Sequence, residues 1–291
     1  MTDIADLSAD PLVSTEWLAA RLGDPNVRVL DATWAMPADK RDPRAEHQAA
    51  RIPGAVFFDI DQVADTSIPL PHMLPAPKVF AAAVAAMGVG DDTWVVAYDN
   101  NNLIASARLW WTFRAMGHDR IKVLDGGLAK WRAEDRPLES GPQAAPTPAH
   151  FTAKPRPELV RSFEQVLAGS EAIVDARSAG RFTGEAPEPR AGLRGGHMPG
   201  ARNVPHGEIL TPEGRLKPAE ALMGVFDAAG VKRDAPLVAS CGSGVTASGL
   251  ALALARTGKW DTAIYDGSWS EWGGRADAPV VTGPAATGPA D

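Results

Sequence analysis

The feature that most constrains how this chain can fold is that its sequence runs through one pattern twice. Val27-Arg28-Val29-Leu30-Asp31-Ala32 returns as Ala172-Ile173-Val174-Asp175-Ala176-Arg177, and Ile52-Pro53-Gly54-Ala55 returns as Met198-Pro199-Gly200-Ala201. Val95-Val96-Ala97-Tyr98-Asp99 returns as Leu237-Val238-Ala239-Ser240-Cys241. Leu124-Asp125-Gly126-Gly127 returns as Tyr265-Asp266-Gly267-Ser268, with Trp131 and then Trp272 following. The offsets stay between 141 and 146 residues (175 − 31, 199 − 53, 241 − 99, 266 − 125). Four separate motifs at nearly one spacing indicate a tandem duplication, so the fold must be one structural unit built twice. A length of 291 residues suits two domains.

Between the copies lies a stretch dense in proline and glycine, from Pro137 to Pro148, which cannot join a helix or a central strand. The expected division is a first domain over 1–140, a linker over 141–157 and a second domain over 158–291. Each copy alternates short β-branched runs with helical stretches. Strands are expected at Val27 to Leu30, Trp94 to Tyr98, Ile121 to Leu124, Ile173 to Val174, Leu237 to Ser240 and Ala263 to Tyr265. Helices are expected at Ser14 to Leu22, Ala105 to Met116, Ser162 to Leu167, Pro218 to Ala228 and Val245 to Thr257. Gly117 and Gly258 stand where such helices would end in the left-handed conformation. The alternation implies an α/β fold, a mostly parallel sheet in each copy with helices on both faces. Ligands of such sheets bind beyond the carboxyl ends of the strands.

A net charge of −7 argues against nucleic acid or an anionic membrane as the main partner. The opening residues, Met1 to Asp10, carry three acids and no base, and no apolar run is long enough to span a bilayer. A cytoplasmic location is expected. One cysteine excludes an internal disulfide. His47, His118, His150, His197 and His206 show no ligand spacing, no phosphate loop or dinucleotide fingerprint is present, and neither metal nor cofactor is expected. His197 reads as locking its own turn, and the nine tryptophans as packing.

The lone cysteine has an instructive position. Cys241 follows an apolar strand directly and opens Cys241-Gly242-Ser243-Gly244-Val245-Thr246-Ala247, which runs into an alanine- and leucine-rich helix. Two glycines let the backbone curl so that successive amides, including those of Gly242, Gly244, Val245 and Thr246, can face one anion. The helix adds the positive end of its dipole. Both favour a thiolate, the nucleophilic form of cysteine, and both would hold the outer sulfur of a persulfide. A cysteine phosphatase shares this strand–loop–helix plan but needs an arginine six residues after the cysteine, where this chain has Ala247.

With the stretches His197-Met198-Pro199-Gly200-Ala201-Arg202-Asn203-Val204-Pro205, Phe57-Phe58-Asp59-Ile60-Asp61-Gln62, His72-Met73-Leu74-Pro75, Gly180-Arg181-Phe182 and Pro187-Glu188-Pro189-Arg190, the loop resembles two-domain members of the rhodanese family, and among them the 3-mercaptopyruvate sulfurtransferases. The resemblance covers nearly the whole chain. It implies two rhodanese-like domains, of which only the second holds the nucleophile. Asp99, at the place of Cys241, cannot carry sulfur. It further implies that Cys241 takes sulfur from 3-mercaptopyruvate as a persulfide, releases pyruvate and passes the sulfur to a small thiol or a thioredoxin-like protein.

Arg181 and Arg190 match the positions that hold the donor's carboxylate and carbonyl, an arrangement suited to an arginine fork. Asp61, His72 and Ser243 match a proton relay proposed in that family, though Asp61 and His72 equally fit a purely structural hydrogen-bonding role. Arg177 follows its strand and reads as structural, and Arg194 takes no role. Thiosulfate-using relatives carry basic side chains just after the cysteine, whereas Gly242 and Ser243 are neutral. Thiosulfate remains the alternative donor, and a non-enzymatic rhodanese-like binding or redox-sensing module the alternative function.

Overall fold

A computed structural model describes residues 10–285 of the chain. The acidic opening segment, apart from Asp10, lies outside the described residues. Five strands fall in each half: β1 (Leu12–Val13), β2 (Val27–Asp31), β3 (Val56–Phe57), β4 (Trp94–Tyr98) and β5 (Ile121–Leu124), then β6 (Val160–Arg161), β7 (Ala172–Asp175), β8 (Arg202–Asn203), β9 (Leu237–Ser240) and β10 (Ala263–Tyr265). They form two sheets in the orders β1-β5-β4-β2-β3 and β6-β10-β9-β7-β8. Every pairing between these strands is parallel. The second order is the first with each strand replaced by its repeat, so the duplication seen in the sequence is a duplication of topology.

The central strands explain the apolar runs. β5 and β9 are buried at every residue, because a parallel sheet is covered on both faces. In the first half, α1 (Thr15–Ala19) and α5 (Gly127–Ala133) cover one face through Trp17, Leu18, Leu128 and Trp131 against Val27, Val29, Val96 and Tyr98. The repeat packs Phe163 and Val166 of α6 (Phe163–Leu167) and Trp269 and Trp272 of α10 (Ser268–Trp272) against Ile173, Val238 and Tyr265. The longest helices, α4 (Ala105–Ala115) and α9 (Val245–Arg256), pack on the central strands β4 and β9 and are buried over most of their length.

All six expected strands are present; four match their expected spans, β2 runs one residue further, and β7 is longer by one residue at each end. The four edge strands have no counterpart in the sequence reading, since two residues cannot display an alternation. Five short helices also went unread: α2 (Pro43–Ala49), α3 (Pro77–Ala86), α5, α7 (Ala179–Thr183) and α10. Two of them open on proline, which suits a first helical turn but in sequence looks like a break. α1 ends at Ala19, short of the expected Leu22, while α8 (Ala219–Ala228) matches its expected span to within a residue. Ser14 and Ser162 cap α1 and α6, accepting the amides of Trp17 and Gln165.

The two halves repeat each other down to single hydrogen bonds. Trp131 Nε1 donates to the Pro137 carbonyl at 2.8 Å, and Trp272 Nε1 to that of Pro279 at 2.8 Å. The Ala32 amide donates to the Tyr98 carbonyl, and the Ala176 amide to that of Ser240. Arg51 pairs with Glu139 across a short antiparallel bridge, and His197 pairs likewise with Val281.

The chain forms two compact units. The first comprises the described part of Met1–Asp65 with Pro75–Arg156 and Pro212–Leu216. The second comprises Thr66–Leu74, Pro157–Thr211 and the described part of Lys217–Asp291. The proline-rich stretch expected as a linker is largely exposed from 141 to 150. It is also fastened to the first unit: Arg51 donates to the Gly141 carbonyl, the Ala149 amide to Ala85, and the Lys154 amide to Met116.

Gly117 and Gly258, just past α4 and α9, have φ of +85° and +97°. They differ in their surroundings. A β-carbon on Gly117 would meet the Lys154 carbonyl oxygen at 2.2 Å, whereas one on Gly258 would meet nothing within 4 Å. Gly258→Ala therefore loses about 1–2 kcal/mol of stability, the cost of the left-handed conformation alone. Gly117→Ala loses more, on the order of 3 kcal/mol, because the clash adds to the strain. Urea denaturation of the two variants measures the difference.

Candidate active site

Cys241 lies just beyond the carboxyl end of β9, the middle strand of its sheet, where a doubly covered parallel sheet opens to ligands. The loop from Gly242 to Gly244 leads straight into α9, and Gly244 supplies the helix's first boundary at φ +76°. A residue with a β-carbon would be strained there. The thiol is nearly enclosed, at 1% exposure, and the Ser243 amide points at its sulfur from 3.4 Å.

The turn after β10 holds this loop from behind. The Trp269 amide donates to the Cys241 carbonyl at 3.0 Å, and the Ser270 amide and hydroxyl donate to the Gly242 carbonyl at 2.9 and 2.6 Å. Ser268 Oγ accepts the Cys241 amide at 3.2 Å and donates to the Tyr265 carbonyl. With its carbonyls drawn backwards, the loop leaves amides such as that of Ser243 to face the sulfur.

Two arginines close on the same loop. A β-carbon built on Gly242 would stand 3.0 Å from Arg181 Nη2 and 3.8 Å from Arg190 Nη1. Arg181 lies in the short helix α7, and Arg190 follows in the stretch after it. Glu188 fixes Arg181, accepting from its Nη2 at 2.5 Å and its Nε at 3.2 Å. The other oxygen of Glu188 accepts from Arg177 Nη1 at 2.8 Å. Arg177 in turn binds Asp175, donates to the Gly196 carbonyl and lies 4.0 Å over the Trp269 ring. The pair Asp175–Arg177 and the Glu188 side chain are almost wholly buried. Charges so enclosed persist because each is hydrogen-bonded to its opposite.

His72 belongs to the same compact unit as Cys241, through the segment Thr66–Leu74. Its backbone is left-handed, with φ +59°, and its ring is largely buried. Two residues on, the Leu74 amide donates to Asp266 Oδ2 at 2.6 Å, which ties this segment to the turn that grips the cysteine loop. Asp61 belongs to the first unit, where its carboxylate accepts Trp34 Nε1 at 2.9 Å. Cys241, Gly242, Ser243, Arg181 and Arg190 are thus brought together, and Thr246 and Val245 form the first turn of α9.

The sequence reading passed over Ser268, Ser270 and Asp266, which shape the site from behind. Their signal was the repeated Asp-Gly turn, read there only as evidence of duplication. Arg194 proves structural: it donates to the carbonyls of Trp272, Gly273, Arg275 and Ala278, closing the end of α10. His197, whose Nδ1 lies 2.9 Å from the Phe182 carbonyl and whose ring stacks on Phe182, fastens its turn as expected. Burial holds its imidazole below the usual range, so it is neutral at pH 7.

The first unit carries the same cradle with a permanent occupant. Asp99, off the end of β4, accepts the amides of Asn101 and Leu103 on one carboxylate oxygen. The other oxygen accepts the amides of Ala105 and Ser106 and the Ser106 hydroxyl, at 3.0, 2.8 and 2.7 Å. Leu128 donates to the Asp99 carbonyl as Trp269 does to Cys241. Among the described residues no cluster of three metal-ligating side chains occurs, and no helix is long and apolar enough to cross a membrane.

Comparison with known proteins agrees with this architecture. The family described as "Rhodanese-like domain" matches residues 14–134 and 160–275. The chain is 44% identical to the 3-mercaptopyruvate sulfurtransferase of Escherichia coli K12, over 94% of this chain and 99% of that protein. It is 41% identical to the mitochondrial thiosulfate/3-mercaptopyruvate sulfurtransferase 1 of Arabidopsis thaliana, over 94% of this chain and 78% of the relative. The crystal structure of SseA from Escherichia coli, studied for the mechanism of 3-mercaptopyruvate sulfotransferases, superposes with a TM-score of 0.82 at 41% identity, covering 90% of this chain and all of that one.

Asp99→Ala would leave five donors facing an empty cradle. The first unit should lose about 2–4 kcal/mol of stability, since each buried donor left without an acceptor carries its desolvation cost. Urea unfolding measures the loss; a loss below about 1 kcal/mol would mean that water replaces the carboxylate.

Proposed function

We propose that this chain, which belongs to the rhodanese family, is a 3-mercaptopyruvate sulfurtransferase that carries sulfur on Cys241 as a persulfide. The observation that carries the reading is the placing of two guanidinium groups over Gly242, next to a cysteine whose sulfur faces a backbone amide. An amide cradle favours a thiolate and a second, terminal sulfur anion alike. Arginine forks suit a carboxylate and the neighbouring keto oxygen of a small acid.

The reaction follows from these parts. The donor lies with its carboxylate and keto oxygen toward Arg181 and Arg190, and its thiol toward Cys241. The thiolate attacks the donor sulfur, a sulfur–sulfur bond forms, and the carbon–sulfur bond breaks. Its electron pair passes into the keto group as an enolate, whose oxygen the guanidinium groups stabilise. The proton lost from the donor thiol ends on the enolate carbon, giving pyruvate. Ser243 and His72 would move that proton. A small thiol or thioredoxin-like acceptor then attacks the outer sulfur and leaves with it, restoring the thiolate. The neutral side chains at 242 and 243 support a singly charged organic donor over thiosulfate.

Incubation with 3-mercaptopyruvate, free of reductant, should add about 32 Da to the intact protein, and Cys241→Ser should abolish the gain. No gain would favour a binding module, and faster turnover with thiosulfate would favour that donor. Arg181→Ala should raise KM for 3-mercaptopyruvate about 10- to 100-fold, the loss of one charge-assisted bond. In single-turnover transfer, equal large losses in Ser243→Ala and His72→Ala support the relay; a loss in the serine variant alone assigns Ser243 to the shape of the loop.

A further inference from the structure

Glu188 contacts the donor site through one intervening side chain. Its carboxylate is 1% exposed, and one oxygen holds Arg181 at 2.5 Å while the other holds the fully buried Arg177. Arg181 Nη2 is in turn 3.0 Å from the place of a β-carbon on Gly242. A full negative charge therefore stands two contacts from the loop, shielded from water and anchored on both oxygens. So enclosed, it acts on the site at low effective dielectric and cannot turn away.

We propose that Glu188 is a specificity-determining residue that makes the site discriminate against doubly charged donors. The inference rests on the sulfurtransferase reading above and deepens it. A fixed negative charge lowers the potential at the donor site by some amount. A donor of charge −1, such as 3-mercaptopyruvate, is weakened by that amount once, and a donor of charge −2, such as thiosulfate, twice. Holding Arg181 in place favours the doubly charged donor by the same rule, so displacing Arg181 lowers the thiosulfate-to-mercaptopyruvate ratio, whereas removing the charge of Glu188 raises it. A raised ratio thus reads the charge of Glu188, while a lowered ratio and lowered rates read its positioning of Arg181.

The test is kcat/KM for 3-mercaptopyruvate and for thiosulfate, at low and high ionic strength, in the wild-type chain, Glu188→Gln and Glu188→Asp. Glu188→Gln keeps the shape and loses the charge. It should lower the rate with 3-mercaptopyruvate yet raise the thiosulfate-to-mercaptopyruvate ratio about tenfold at low salt, and less at high salt. Glu188→Asp keeps the charge, so its ratio should rise no more than about twofold above wild type even where both rates fall. Equal losses for both donors in Glu188→Gln would overturn the proposal and leave Glu188 a support for Arg181. Should the glutamine variant not fold, a ratio shifted toward thiosulfate in the aspartate variant would overturn it equally. Wild-type preference for thiosulfate would sink the donor assignment instead, and the change of ratio between variants would still report on Glu188.

Discussion

The site depends on the grip of one turn on another: the Trp269 and Ser270 amides hold the carbonyls of Cys241 and Gly242. A loop of three small residues has little to hold it in one conformation, and glycine adds to its freedom. Drawing its carbonyls toward the turn after β10 settles which way its peptide planes face. The inward direction of the Ser243 amide, the sharp entry into α9 and the space over Gly242 for two guanidinium groups all depend on that orientation. The corresponding grip in the first unit, Leu128 on Asp99, shows that it belongs to the duplicated scaffold and not to the chemistry alone.

Much of the fold was legible because the central strands are apolar throughout and the repeat supplies each of them twice. Edge strands of two residues were not, since they are too short for a period to emerge, nor were helices opening on proline, which in sequence looks like a break. At the site, Cys241, Gly242 and Gly244 could be read from local chemistry, because strand, tight turn and helix follow one another without a gap. Arg181 and Arg190 could be read only through resemblance; nothing local tells an arginine at a ligand from one in solvent. Glu188 lies in a stretch of proline and acids, and its side chain is almost wholly buried. Pairing with Arg177, itself buried under Trp269, decided its place, and such a pairing has no signature in one dimension.

The two copies show how one anion-holding scaffold serves opposite ends. In the second unit, the cradle receives a sulfur that must come and go. In the first, Asp99 fills it with a carboxylate that never leaves, bonded to four amides and a hydroxyl. Four helix-terminal and loop amides would otherwise lie buried with nothing to accept from them. The aspartate thus converts a binding site into a structural joint.

The assignment of Thr66–Leu74 to the second unit and of Pro212–Leu216 to the first bears on how the molecule can be divided. The sequence splits naturally near residue 157, but the compact units do not follow that split. Each half of the sequence lacks a piece that its unit possesses, and for the second half the missing piece carries His72. The two copies are therefore coupled by the path of the chain: a cut near residue 157 would part each unit from one of its own segments.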